Sequence, residues 1–284
     1  MSHVFRCAAS IAFVFPALLA AQTCEPSTSS NEAMMFASRS LGLAHARGPS
    51  LNGYAAGTIT AGIEVAHFPH VAKKDATPDT CNPGKGPENA NIVPGFARVR
   101  ASVVLPARLI LDASWLPPVK VKGLTGNVFG VSLRHRHGLT PTLSLDARAH
   151  AALGSVTGPI TCGEAALENP NSECLDGTLS NDEFKPNILG ADLAVAHAAT
   201  GRAMSWYGGA GYSRLAPRFQ VHFRNSGGLL DTTKVRVDLD RVALFGGAAW
   251  TIARRWTASA EVYATTADGA TVRVFVDRVL RGRE

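Results

Sequence analysis

Charge is scarce in this sequence: Asp, Glu, Lys and Arg make up 18% of its 284 residues, against 46% hydrophobic residues and 27 glycines. That balance is unusual for a soluble enzyme. The net charge is +6, but the basic residues are dispersed, so the concentrated patch that a nucleic-acid partner needs is missing. No C-x-x-C spacing occurs, which removes support for a thioredoxin-like site or a zinc knuckle. His67 and His70 form H-x-x-H beside Pro69, but no carboxylate or cysteine stands at ligand spacing, so they read as two rim histidines. No metal, cofactor or nucleic-acid partner is expected. Beyond the N-terminus no apolar run reaches the ~20 residues that a spanning helix needs. The mature chain is therefore either exported and soluble, or it spans a membrane as a closed barrel, the other structure that satisfies its backbone in lipid.

The N-terminus supplies the compartment. Met1 to Ala21 reads MSHVFRCAASIAFVFPALLAA, with Arg6 as a positive n-region, Ile11 to Leu19 as an apolar h-region, and small residues at Ala20 and Ala21. This is the pattern of a secretory signal peptide cut near Ala21. Residues 22–53 open with a polar stretch and are expected to form an N-terminal periplasmic segment, partly flexible, with a short strand at Ser40–Ala46. Residues 54–280 carry the barrel pattern, and 281–284 form a C-terminal tail. Cys7 leaves with the signal peptide, and Cys24, Cys81, Cys162 and Cys174 remain. Cys162 and Cys174 share one polar segment and are expected to bond to each other, leaving Cys24 with Cys81 as the remaining option.

From Tyr54 onward every second residue is apolar. In TLSLDARAHAALG, Leu143, Leu145, Ala147, Ala149 and Leu153 alternate with Ser144, Asp146, Arg148 and His150. The same period recurs over ten segments, around Tyr54–Phe68, Phe96–Leu105, Leu109–Trp115, Phe129–Arg136, Thr142–Gly154, Asn187–His197, Trp206–Tyr212, Val242–Ile252, Trp256–Ala264 and Ala270–Leu280. Short turns at Leu105–Arg108, His137–Thr140, Ala199–Arg202 and Ile252–Arg255 alternate with connections that are mostly longer or polar. An even strand count with short turns at one end and long loops at the other is an outer-membrane layout. Trp115, Trp206, Tyr212, Trp250 and Trp256 stand near the ends of the apolar faces, where aromatic girdles belong.

Over residues 54–280 the chain resembles the bacterial outer-membrane β-barrel proteins. The likeness rests on the signal-like start, the alternating strands and segments such as WYGGAGY and ATVRVFVDRVL. It implies an all-β fold, an antiparallel up-and-down transmembrane β-barrel of about 10 strands, in the bacterial outer membrane with lipid as its partner. The alternative is a secreted or periplasmic soluble β-sandwich with the opposite facing sense.

In the barrel reading, the polar faces bring Glu64, Arg98, Arg100, Asp112, Arg134, Arg136, Asp146, Arg148, Asp192, Glu261, Arg273 and Asp277 into the lumen. A barrel of this size is narrow, and opposite charges recur often enough to pair across it. Beyond the membrane, Leu215, Phe219, Val221 and Phe223 alternate on one arm of a hairpin and Val235, Val237 and Leu239 on the other, about an Asn225–Gly228 turn. This apolar hairpin is expected over the barrel mouth, packed on its neighbours or walling an apolar ligand site. Asp146 and His150 share a face, but no nucleophile motif accompanies them, and no catalytic residue is assigned. Three functions follow from these features: a structural or adhesion-type barrel, a narrow conduit or binder for a small or apolar ligand, and a rim-sited hydrolase.

Overall fold

The computed structural model describes residues 30–48, 54–71, 91–170, 172–198, 204–265 and 267–282. The signal-like segment, Cys24, Cys81 and the Ala199–Arg202 turn lie outside the described residues.

Ten strands close into an antiparallel barrel: β1 (Ile59–His67), β2 (Gly95–Val104), β3 (Leu109–Leu116), β4 (Leu124–Gly138), β5 (Leu143–Gly158), β6 (Ile188–Ala198), β7 (Met204–Leu215), β8 (Leu239–Ala253), β9 (Trp256–Thr265) and β10 (Gly269–Arg281). Each pairs with its neighbour in sequence, and β10 returns to pair with β1, with Val276 opposite Ile63 and Val274 opposite Val65. No edge is left unpaired, so the backbone is satisfied without water. Short turns join β2 to β3, β4 to β5 and β8 to β9 at one end. The long connections gather at the other end. By that layout the short-turn end faces the periplasm.

The facing sense is the reverse of a soluble protein's. Leu189 and Leu193 are 64% and 57% exposed, while Asp146 and Arg148 are 1% and 3% exposed. Apolar side chains of β1, β4, β6, β8 and β10, among them Ile63, Phe129, Leu193, Leu244 and Val274, form the outer belt. A soluble β-sandwich would bury these residues, so that alternative fails. The strands run from 8 to 16 residues. The longer ones exceed the ~9–11 residues needed to cross a bilayer and carry the sheet beyond it.

At the long-loop end, β5 extends through Val156–Gly158 to pair with Asp182–Lys185, which pairs with Arg218–Gln220, and that segment pairs with Lys234–Arg236. These short pieces form a cap sheet over the mouth. Cys162 and Cys174 are bonded within the same cap, with their Cα atoms 5.6 Å apart.

One segment differs from the sequence reading. Residues 40–46 were expected to form a strand within a periplasmic segment. Instead Ser30–Leu43 is a helix, α1, and Met35, Phe36, Ala37, Leu41, Leu43, Ala44, Ala46 and Arg47 are buried by the barrel and its cap. The physical reason is that the carbonyls at the helix end find hydrogen-bond donors on the lumen wall.

Candidate functional site

The interior of the barrel is the site, and the N-terminal segment threads it. The contacts of that segment descend in order from the long-loop end to the short-turn end. At the outer mouth, Arg39 donates from Nη1 to Pro69 O at 3.1 Å and from Nη2 to Asn91 Oδ1 at 2.9 Å. Burial lowers the Arg39 pKa to about 10, so the side chain stays charged at neutral pH. Ser40 reaches Pro186 O just before β6. A side chain at Gly42 would strike the Phe68 ring, so glycine lets the helix pass this constriction.

The last turn of a helix leaves carbonyls without partners. Here wall arginines supply them. Arg273 donates to Leu41 O at 2.9 Å, and Arg98 donates to Leu43 O at 3.2 Å and to Ala44 O at 2.9 Å. Cations at this end also suit the helix dipole. Past the helix the chain continues without a ladder of its own. Arg148 donates to His45 O, and Arg134 donates to Arg47 O at 3.1 Å. His45 Nδ1 and Ser114 Oγ share a hydrogen bond of 2.8 Å. Arg47 ends the descent, bound to Asp192 and, at 3.3 Å, to Asp146 Oδ2. Its guanidinium also lies over the Phe245 ring at 5.6 Å. Gly48 follows with φ +69 against the Arg100 guanidinium, a conformation and a clearance that only glycine meets. Tyr54 then packs on Val104 and Ile110 at the short-turn end, from which β1 starts.

The wall residues expected in the lumen are all brought together there. Glu64 takes Arg98 at 2.6 Å, and Glu261 takes Arg273 at 3.1 Å and the Tyr207 hydroxyl at 2.6 Å. Asp112 accepts from Arg134 at 3.1 Å and from Ser102 at 2.6 Å. Asp192 takes Arg148 at 2.6 Å, and Asp146 takes Arg136 through two bonds of 2.9 Å. Arg100 is held more loosely, 3.5 Å from Asp277 and 3.9 Å from both Glu64 and Asp112. All of these charges but the half-buried Arg136 are buried, and each has an opposite partner, the condition for tolerating it. Sequence reasoning missed Arg47, His45 and Tyr207. The first two fall in the segment read as periplasmic; the alternation of Trp206–Tyr212 places Tyr207 on the lumen side, but no local pattern shows its bond to Glu261.

The hairpin residues lie at the outer end. Phe219, Val221, Phe223, Val235 and Val237 are buried with Met35, Phe36, Phe68 and Phe184. The Phe36 ring sits 5.1 Å from that of Phe219 and 5.9 Å from that of Phe184. Leu215 is buried at the end of β7, in the cluster beneath, against which Leu239 also packs. The apolar face of the hairpin is thus filled by the plug helix. Gly228 N donates to Asn225 O at 2.9 Å, closing the hairpin tip.

His67 and His70 are exposed at the long-loop rim, and no group of three or more metal-ligating residues occurs among the described residues. His150 stands 3.9 Å from Asp192 inside the filled lumen.

No known family profile matches the sequence, and no curated protein does. Solved structures align with it over most of its length. Ail of Yersinia pestis is 9% identical, covers 79% of this chain and 99% of its own, and gives a TM-score of 0.29. The translocator domain of autotransporter NalP from Neisseria meningitidis is 10% identical, with coverage of 80% and 90% and a TM-score of 0.33. The N-terminal β-barrel domain of Pseudomonas aeruginosa OprF is 9% identical, with coverage of 61% and 98% and a TM-score of 0.28. The assignment itself rests on architecture. A closed ten-stranded barrel with an apolar outer belt, a charged interior and long loops at one end is an outer-membrane β-barrel.

Proposed function

We propose that this protein is a closed, non-conducting outer-membrane barrel whose role is structural or adhesive, with its own N-terminal segment as a permanent plug and its cap sheet as the surface offered outward. The observation that carries the reading is the descent of Arg39 to Arg47 through the lumen, with backbone carbonyls at Leu41, Leu43, Ala44, His45 and Arg47 bonded by wall arginines. A pore would need those bonds broken together and the Arg47–Asp192 pair exposed. A conduit for small molecules is therefore the lesser reading, and an apolar ligand site under the hairpin is disfavoured because Phe36 occupies it. A rim hydrolase would need an accessible nucleophile beside a base, and His150 and Asp192 are enclosed.

Planar-bilayer recording tests the proposal. Refolded protein should insert without stepwise conductance, and a chain lacking residues 30–47 should conduct. Open steps from the intact chain would refute the closed reading.

A further inference from the structure

The two ends of the barrel differ in the sign of their exposed charge. At the long-loop end, carboxylates and cations are mixed. Glu164, Glu168, Glu173, Asp176, Asp238 and Asp240 are all exposed there. Several cations at that end pair with carboxylates, as in Lys185–Glu183 at 2.8 Å, Arg218–Asp238 at 3.0 Å and Arg241–Asp268 at 2.6 Å. The short-turn end is different. Arg108, Arg255, Arg278 and Arg281 are exposed there, and His135 and His137 continue the arc along β4. Among the described residues, no carboxylate is exposed at that end. The carboxylates of that half, such as Asp112, Asp146 and Asp277, point into the lumen and are buried.

The cations are also placed at a defined depth. Trp256 opens β9 directly opposite Arg278 of β10, and the Arg278 guanidinium lies 5.5 Å from the centre of the Trp256 ring. Arg278 keeps the outward parity of Val272, Val274 and Val276, so it is the first polar residue below the apolar belt. Arg255 precedes Trp256 in the turn, and Arg281 stands opposite Ile59 of β1. Trp206 and Trp250 are exposed at the same end of β7 and β8. Exposed tryptophans mark the level of lipid headgroups. A guanidinium at that level meets phosphate oxygens, which it binds through paired hydrogen bonds. A zwitterionic headgroup brings its own ammonium to that phosphate, whereas an anionic headgroup leaves the charge uncompensated.

We propose that the short-turn rim around Arg255, Trp256, Arg278 and Arg281 is a binding surface for anionic phospholipid headgroups of the periplasmic leaflet. It rests on the barrel and its orientation, and it stands whether or not the lumen conducts.

The test uses the full chain refolded in vesicles of equal phosphatidylglycerol and phosphatidylcholine, extracted gently, with retained lipid counted by native mass spectrometry. The wild type should retain phosphatidylglycerol in excess. Neutralising Arg255, Arg278 and Arg281 together (Arg255→Gln, Arg278→Gln, Arg281→Gln) should remove the preference, at about fivefold per arginine. Lys185→Gln with Arg218→Gln, at the other end, should not. Heat-modifiable gel mobility confirms that each variant is folded. Equal retention of the two lipids by the wild type would overturn the proposal, as would a preference that survives the triple substitution. So would displacement of bound phosphatidylglycerol by soluble peptidoglycan fragments, which carry carboxylates instead of phosphodiesters.

Discussion

Arg148 illustrates how single residues hold this molecule. It binds Asp192 at 2.6 Å on the wall and the His45 carbonyl on the plug, so it joins the two. Replacing it with leucine leaves a buried carboxylate with one partner fewer, and breaking such a pair costs about 3–5 kcal/mol. Arg148→Leu should lower the urea midpoint of the refolded barrel by a corresponding amount. Leu145 shares the outward face of β5 with Ala147, opposite to that of Arg148, and is 37% exposed. Leu145 lies three residues into β5 from the short-turn end, so Leu145→Arg should cost about 1 kcal/mol, less than at the midplane, and the loss should appear as reduced insertion. Equal tolerance of both changes would mean that the facing sense is wrong.

At the scale of elements, the strands were legible and the helix was not. Leu143 to Leu153 announces a two-faced strand because a barrel wall has one side in lipid and one in a polar lumen, and all ten strands repeat that contrast. The cap hairpin was legible for the same reason, through Phe219 and Val221 against Val235 and Val237. Helix α1 carries no such contrast. It is enclosed by the wall and the cap, so Ser38 and Ser40 are buried alongside Phe36 and Leu41, and no amphipathic stripe forms. Its carbonyl bonds are made with arginines far away in sequence, which no local pattern reports. Removing Val221 to Val235 takes away the outer part of the cap but not Arg47 or the Leu41–Ala44 carbonyl contacts, so conductance should stay low. A large opening would shift the closure from the plug to the cap. The Cys162–Cys174 bond, 12 residues apart, should stabilise the cap by about 3 kcal/mol through loop closure. Reduction should loosen the cap, seen as faster hydrogen exchange at Phe184 and Phe219, while the barrel keeps its heat-modifiable mobility. Exchange that is unchanged on reduction would contradict this.

For the whole molecule, the account stands on one placement: the segment from Met35 to Arg47 is inside the barrel, not beside it. A barrel wall balanced between arginines and carboxylates gains one further cation from Arg47, and its carboxylates Asp146 and Asp192 are shared between wall and plug. The most direct measurement is labelling with a membrane-impermeant maleimide at Ala44→Cys, the labelled site being read by peptide mass mapping. Ala44 is 1% exposed, while Thr232 in the cap is exposed and serves, as Thr232→Cys, for comparison. The account predicts that position 232 reacts to completion while position 44 stays unlabelled until the barrel is unfolded. Labelling of position 44 in the folded protein at the rate of position 232 would contradict it.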